Sequence, residues 1–138
     1  MIKAYIDAAT KDDPGPSGAG ILLVGQNLHK QIHQALPVLN NHQAEFYAFY
    51  ELLNYLLEHN YFHETIFVYS DSKILVQTVD KNYTNNKNFQ EIFQKIQTLL
   101  PKFPLLILQW IPENKNKGAD KLARQGLQKA LRQKNNSK

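Results

Sequence analysis

The chain has 138 residues with a formal net charge of +4, 43% hydrophobic residues, 20% charged residues and no cysteine. This length suits one domain with a single core, the composition excludes intrinsic disorder, and the lack of cysteine excludes disulfides and thiolate metal sites. Apolar runs such as Pro104 to Leu108 are far shorter than the roughly 20 residues that cross a bilayer, which excludes an integral membrane protein. No signal peptide precedes the first predicted strand at Ile2, so we expect a cytoplasmic protein.

The N-terminal third is predicted to form an antiparallel meander of three strands. Residues Met1 to Asp7 alternate between apolar and polar side chains, which is the period of a half-buried strand that ends at Asp7. The following segment, 12–18, is dense in turn-forming residues. Two further strands, 19–24 and 28–36, are then predicted around a short turn.

Helices and strands alternate in the rest of the chain. Segments with apolar residues at helical spacing alternate with short apolar runs, of which the first, 66–69, is typical of a strand buried on both faces. Asp71 or Ser72 can cap the helix that follows the first of these runs. The elements predicted here are a helix over 44–59, a strand over 66–69, a helix over 89–100, a strand over 105–110 and a helix from 116 to about 131.

These elements predict an α/β fold with a five-stranded mixed sheet, in which three antiparallel N-terminal strands precede two parallel strands and helices cover both faces. We expect one domain over residues 1–132 and a basic, disordered tail over 133–138. A basic C-terminal helix could bind a polyanion by counterion release, although a solvated helix face with a frayed tail explains the charge equally well. The basic residues there are Lys115, Lys117, Lys121, Arg124, Lys129, Arg132, Lys134 and Lys138, opposed by Asp120.

Four acidic residues stand at the edges of hydrophobic segments. Taken singly, Asp71 could cap a helix, and Glu45 or Asp120 could oppose a helix dipole, with Asn116 as the cap of the last helix. If the strands that end near Asp7 and Asp71 are parallel neighbours, however, their carboxylates emerge side by side. Gathered carboxylates repel one another without a bound cation, and Mg²⁺ prefers hard oxygen ligands, so the four acids together predict a divalent-cation site.

Four motifs surround these acids in order: Tyr5-Ile6-Asp7-Ala8-Ala9 with Pro14 to Gly20, Asn41 to Phe46, Ser70-Asp71-Ser72, and Asn116 to Ala123. Together they resemble type 1 ribonuclease H, the nuclease domain also carried by retroviral reverse transcriptases, and the resemblance covers nearly all of residues 2–131. It implies a ribonuclease H-like fold and an endoribonuclease that hydrolyses the RNA strand of RNA/DNA hybrids, giving 5′-phosphate and 3′-hydroxyl ends. The implied cofactors are two Mg²⁺ ions, for which Mn²⁺ could substitute.

The resemblance also implies a role for each acid. Asp7 would contact both ions and the scissile phosphate, and Asp120 would hold the ion that activates water. Glu45 and Asp71 would hold the ion on the leaving-group side. The 2′-hydroxyl distinguishes RNA from DNA, and Asn41 and the loop 8–15 are candidates for reading it, although Asn41 could also cap a helix. The substrate-binding candidates are Ala8, Gly15, Asn41, Ser72, Lys73 and Asn116.

Several positions depart from the family pattern. Ala8 stands where Gly usually follows the first Asp, and Lys73 stands where Gln is frequent, which favours nonspecific phosphate contact. The segment 111–117 lacks the His that many members carry, none of the five histidines is assigned to catalysis, and no basic insertion lies between 79 and 89. Two alternatives therefore stay open: a ribonuclease H-like module that binds nucleic acid with weak or no turnover, and a two-metal nuclease of the resolvase or transposase type. We expect a monomer.

Overall fold

Five strands and four α-helices form the part of the chain that the computed structural model describes, which is the backbone of residues 1–136 and the side chains of 1–134. Their order along the chain is the predicted one, and two short 3-10 turns, Leu100–Lys102 and Glu113–Lys115, flank the last strand. The elements are β1 (Ile2–Thr10), β2 (Gly15–Gly25), β3 (Leu28–Leu39), α1 (Asn41–Glu58), β4 (Ile66–Ser70), α2 (Lys73–Lys81), α3 (Lys87–Leu99), β5 (Leu106–Trp110) and α4 (Lys117–Asn136).

The strands form one mixed sheet in the order β3-β2-β1-β4-β5. β1, β2 and β3 are antiparallel, whereas β4 and β5 run parallel to β1, which confirms the predicted fold class. The parallel pairing of β1 with β4 ends at Ile6 opposite Ser70, and that of β4 with β5 ends at Ser70 opposite Trp110. The carboxyl ends of β4 and β5 and the Ile6 position of β1 therefore lie side by side.

β1 is longer than the sequence pattern predicts. The predicted end at Asp7 is wrong, because β1 continues to Thr10 along β2 after its pairing with β4 has stopped. The segment 15–18, which its composition assigns to a turn, is the beginning of β2 and pairs with this extension. Asp7 is consequently the first residue of β1 past the parallel pairing, where its side chain no longer has β4 beside it.

Helices cover both faces of the sheet, as predicted. α1 packs on β1 and β2 with α2 and α3 against it, whereas α4 packs on β1, β2 and β3. Side chains of β2 point alternately to the two faces of the sheet, and Ile21 and Leu23 belong to the core on the α1 face. On the other side a Cβ at Gly18 would collide with the backbone of Leu127, and one at Gly20 with the backbone of Ala123. α4 therefore rests directly on the β2 main chain.

α1 begins three residues before the predicted start at Ala44 because Asn40 and Gln43 form a capping box. The Asn40 side chain accepts a hydrogen bond from the Gln43 N–H at 2.7 Å, and the Gln43 side chain accepts one from the Asn40 N–H at 2.9 Å. Asn40 rather than Asn41 is thus the cap, and Glu45 lies in the second turn instead of the first. The fully buried side chains of α1 are Ala44, Phe46, Ala48, Phe49, Leu52, Leu53 and Leu56.

α4 extends to Asn136 instead of ending near Leu131. The first part of the predicted disordered tail is therefore helical, and residues 137 and 138 lie outside the described residues. Lys134 in the last turn is a physical reason for the extension, since cations are favourable at the negative end of a helix dipole. Among the helices of the described chain, none combines the length and the apolar composition needed to cross a membrane.

Candidate active site

Three of the four predicted acids meet at the end of the parallel strand pairing. Asp7 follows the last β1–β4 pair on one strand and Asp71 follows it on the other, so both carboxylates emerge at the same edge. Glu45 reaches this edge from α1. One carboxylate oxygen from each of the three residues lies within 4.8 Å of the others. We call these three residues the carboxylate trio.

Two members of the carboxylate trio, Asp7 and Glu45, are largely removed from water, whereas Asp71 is partly exposed. Asp7 is 6% exposed and Glu45 is 5% exposed, and within the described structure Glu45 Oε2 is buried without a hydrogen-bond partner. Burial, together with the charge of Asp71, raises the pKa of Asp7 from 3.8 to about 7. Burial and the charges of Asp7 and Asp71 also raise the pKa of Glu45 well above its usual value. A bound divalent cation would remove this repulsion, and the partnerless Glu45 oxygen could coordinate it.

Asn116 holds one member of the trio in place. Its side-chain N–H₂ donates to the Ile6 carbonyl at 2.8 Å and to Asp71 Oδ2 at 3.2 Å, and the residue is only 1% exposed. Burial raises the pKa of Asp71, an effect that the Asn116 hydrogen bond opposes and that the charges of Glu113 and Asp120 reinforce. Asn116 does not cap α4 with its side chain, because its Oδ1 has no partner among the described residues.

Asp120 lines the same cavity as the trio, but it is more exposed than Asp7 and Glu45 and forms an ion pair. Its side chain is 43% exposed, and its Oδ2 lies 3.1 Å from Nη2 of Arg124, one turn further along α4. Its charge contributes to the raised pKa of both Asp7 and Asp71, so it faces them across the cavity. The structure thus brings all four predicted acids to one cavity and draws three of them into close contact.

Comparison with known proteins identifies this arrangement. Residues 5–126 match the reverse transcriptase-like family. The chain is 30% identical to the ribonuclease H of Orientia tsutsugamushi, over 95% of this chain and 84% of that protein. It belongs to the ribonuclease H family. This membership confirms the resemblance that the sequence motifs indicate, and it makes the chain a member of a family of hydrolases.

Two further likenesses cover almost the whole chain. The fold matches that of LC11-RNase H1, crystallised in complex with an RNA/DNA hybrid, with a TM-score of 0.85 at 25% identity over 95% of this chain and 99% of that one. The Enterococcus faecalis protein EbsB, whose name marks it as a candidate hydrolase, is 44% identical over 94% of this chain and 96% of its own. The likeness therefore extends over nearly the whole fold and is not confined to any single motif.

The predicted substrate-binding residues of this ribonuclease H family member divide into two groups. Ala8, Asn41, Ser72 and Lys73 line a cavity of about 850 Å³ together with the four acids. Gly15 is not among the described residues of the cavity wall, and it lies at the start of β2, where its carbonyl accepts a hydrogen bond from Ser17 Oγ at 3.0 Å. Asn116 acts behind the cavity through Asp71.

The cavity also contains residues that sequence reasoning missed. Trp110, at the end of β5, donates its indole N–H to the Asp71 carbonyl at 3.2 Å, and the Lys73 ammonium lies 4.9 Å from its ring centroid. His42 lines the cavity as well, and so does Arg124, which the sequence assigns only to the basic face of the last helix. The spacing of Arg124 four residues after Asp120 is a helical ion-pair signal that could have identified it. Trp110 has no such signal, because its partners lie far away in the sequence, in the turn after β4 and at the start of α2.

Proposed function

We propose that the chain is an endoribonuclease that hydrolyses the RNA strand of RNA/DNA hybrids, giving 5′-phosphate and 3′-hydroxyl ends. The observation that carries the proposal is the carboxylate trio, with oxygens within 4.8 Å of one another and a buried Glu45 oxygen without a partner in the described structure. Membership of the ribonuclease H family and the likeness to a fold crystallised with an RNA/DNA hybrid support the choice of substrate.

The donor set fits two hard divalent cations, Mg²⁺ or in its place Mn²⁺. Asp7, Glu45 and Asp71 would hold them with Asp120, since carboxylate oxygens and substrate phosphate complete the shell that Mg²⁺ prefers. When bound, the ions supply an activated water and neutralise the charge on the leaving oxygen. The pKa values of the trio support this fit, because burial in the absence of a cation drives these acids toward protonation.

The remaining side chains of the cavity bind and orient the substrate. Lys73, Lys117 and Arg124 line it, and their positive charges suit the phosphates of a nucleic acid backbone. Asn41 and Ala8 lie beside the trio, where a 2′-hydroxyl could be contacted. Asn116 holds Asp71 by the hydrogen bond to Oδ2 and so keeps one carboxylate oriented before substrate arrives.

A second candidate is a nucleic-acid-binding module with weak turnover. The contact between Arg124 and Asp120 favours it, because the fourth carboxylate already has a cation of its own chain at 3.1 Å. Ala8 and Lys73 depart from the family pattern, and these departures also favour a module with weak turnover. This candidate would bind the same hybrid through the same basic residues.

The deciding experiment compares cleavage of labelled RNA/DNA hybrid, duplex DNA and duplex RNA, each with Mg²⁺ or Mn²⁺. Cleavage of the hybrid alone, lost in Asp71→Asn, would support the nuclease. The matched control is Glu58→Gln, which removes an exposed acid at the end of α1 and should cleave like the wild type. Tight hybrid binding without products under either metal would overturn the nuclease in favour of the binding module.

A further inference from the structure

Trp110 makes two contacts with the turn that joins β4 to α2. Its indole N–H donates to the Asp71 backbone carbonyl at 3.2 Å, and its ring lies 4.9 Å from the Lys73 ammonium. The neighbouring main chain is paired as well, since the Ile111 N–H donates to the Ser70 carbonyl at 2.9 Å. The end of β5 therefore contacts both the turn that carries Asp71 and the first residue of α2, Lys73, which lines the cavity.

The position of Lys73 needs such support. Lys73 is the first residue of α2, where the positive end of the helix dipole disfavours a cation. Its side chain is long and flexible, so an unsupported ammonium would spread over many positions. The face of an indole ring attracts an ammonium by its quadrupole and restricts it to the space above the ring.

Packing alone does not account for Trp110. The residue is 44% exposed and lies outside the buried core, although it lines the cavity. The other large exposed side chains of this edge, Leu105 and Ile107, are not among the described residues of the cavity wall. Trp110 thus combines exposure, a place beside the carboxylate trio and two specific contacts.

We propose that Trp110 is a positioning residue that holds the Lys73 ammonium and the Asp71 carboxylate in a fixed relation, so that Lys73 binds a backbone phosphate of the nucleic acid beside the carboxylate trio. The proposal rests on the proposed function for the identity of the ligand, which is a nucleic acid phosphate. Trp110 acts on Lys73 through its ring and on Asp71 through its N–H. These two actions can be separated by substitution.

The first test measures the affinity of a fluorescently labelled RNA/DNA hybrid in EDTA, over a series of salt concentrations. Lys73→Met should weaken binding and reduce the slope of log Kd against log salt by about 0.9, the value for one phosphate contact. Trp110→Leu should weaken binding roughly two- to fivefold, because the ammonium loses its support. In the double variant the loss should not exceed that of Lys73→Met alone. Additive losses would overturn the action of Trp110 through Lys73.

The second test uses Trp110→Phe, which keeps an aromatic face and removes the N–H. Hybrid affinity in EDTA should stay within about twofold of the wild type, since an aromatic ring still lies under Lys73. Mn²⁺ binding to the protein alone, followed by electron paramagnetic resonance, should weaken several-fold because the Asp71 turn loses one hydrogen bond. Unchanged Mn²⁺ affinity would overturn the action on Asp71. Circular dichroism and the Tm of each variant verify that it is folded.

A matched pair outside the cavity provides the control. Lys95 Nζ lies 5.9 Å from the Tyr50 ring centroid, in a contact of the same kind between α3 and α1. Lys95→Met and Tyr50→Leu should show no coupling in hybrid affinity. Cleavage that persists while the Lys73 and Trp110 losses add would overturn only this inference. Coupled losses without any cleavage by the wild type would overturn only the nuclease, and no hybrid binding by the wild type would overturn both.

Discussion

The carboxylate trio and the Asp120–Arg124 pair line one cavity, but their negative charges have different surroundings. Asp7 and Glu45 are almost fully buried, and a Glu45 oxygen has no partner in the described part of the molecule. Asp120 is 43% exposed and has an arginine at 3.1 Å on its own helix. The trio therefore concentrates negative charge in a largely buried place, whereas Asp120 has a cationic partner on its own helix and is partly solvated.

This difference predicts which part of the site would gain most from a bound metal ion. Burial makes an unpaired charge costly, so a cation that enters the trio relieves both desolvation and mutual repulsion. At the solvent-exposed pair, water screens the charges and the gain from replacing Arg124 with a metal ion is small. We expect the ion bound by the trio to be held more tightly than an ion that depends on Asp120.

We expect the greatest change in cleavage rate when a member of the trio is replaced, and a smaller change when Asp120 is replaced. Asp7→Asn should reduce hybrid cleavage by about a thousandfold or more, since a metal centre contributes several kcal/mol to the barrier. Asp120→Asn should reduce cleavage by about ten- to a hundredfold, because its side chain is 43% exposed and water can take its place as a ligand of Mg²⁺. Single-turnover cleavage rates measure both. Equal losses in the two variants would contradict the distinction.

A second prediction concerns the stability of the metal-free protein. The pKa of Asp7 is raised from 3.8 to about 7, so the folded state binds more protons than the unfolded state between those values. The free energy of unfolding should therefore fall as the pH rises from about 4 to about 7, and added Mg²⁺ should restore it at the upper end. Chemical denaturation at several pH values, with EDTA or Mg²⁺, measures this dependence.

Asp7→Asn provides the matching variant for that stability measurement. It removes the titrating group, so the fall in the free energy of unfolding between about pH 4 and pH 7 should become smaller, and the metal-free protein should be more stable than the wild type near neutral pH. A steeper pH dependence in this variant would show that other groups govern the stability. The same variant should gain less stability from Mg²⁺ than the wild type does.

A third prediction concerns the residue that connects the trio to the backbone. Asn116→Ala should lower the free energy of unfolding by about 1–3 kcal/mol, because it leaves the buried Ile6 carbonyl without this donor. Cleavage should also fall, since Asp71 loses a hydrogen bond to Oδ2. Asn114→Ala, at an exposed position two residues earlier, is the control and should unfold like the wild type. Unchanged stability and cleavage in Asn116→Ala would show that its hydrogen bonds to Ile6 and Asp71 contribute little.

A modest change in the Mg²⁺ requirement is expected when the Asp120–Arg124 pair is broken. Arg124→Gln should lower the Mg²⁺ concentration for half-maximal cleavage by about twofold, the size expected for an ion pair four residues apart on a helix. Arg132→Gln removes an exposed arginine further along α4 and should leave that concentration unchanged. Mn²⁺ titration of the protein alone distinguishes metal affinity from substrate effects. An increase in the required Mg²⁺ would mean that Arg124 serves chiefly to bind substrate.

The fold was largely predictable because its signals are local and periodic. The alternation of Met1 to Asp7 and the helical spacing after Ala44 identify elements whose apolar faces must pack together. The errors occur where a longer-range contact decides the boundary. The segment 15–18 looks like a turn by composition, but it is a strand because Gly18 allows α4 to pack on it. The α1 boundary depends on a capping box that spans Asn40 and Gln43.

The candidate site was predictable to the extent that its residues belong to motifs. The four acids and Asn116 were identified from their segments, and the structure brings them to one cavity or directly behind it. Trp110 could not be identified, because its contact with Lys73 exists only when β5 lies beside β4. The distinction between the buried Asp7 and Glu45 and the partly exposed Asp120 also depends on burial, which a sequence motif does not contain.

The glycines of β2 have a mechanical consequence for Asp120. Because Gly18 and Gly20 have no side chain, the main chains of β2 and α4 are in contact at these two positions and set the height of the helix above the sheet. Rotamer changes cannot alter that height, and close-packed backbone resists compression. Main-chain contact with β2 therefore fixes the helix that carries Asp120, and the carboxylate moves chiefly through its own two side-chain torsions.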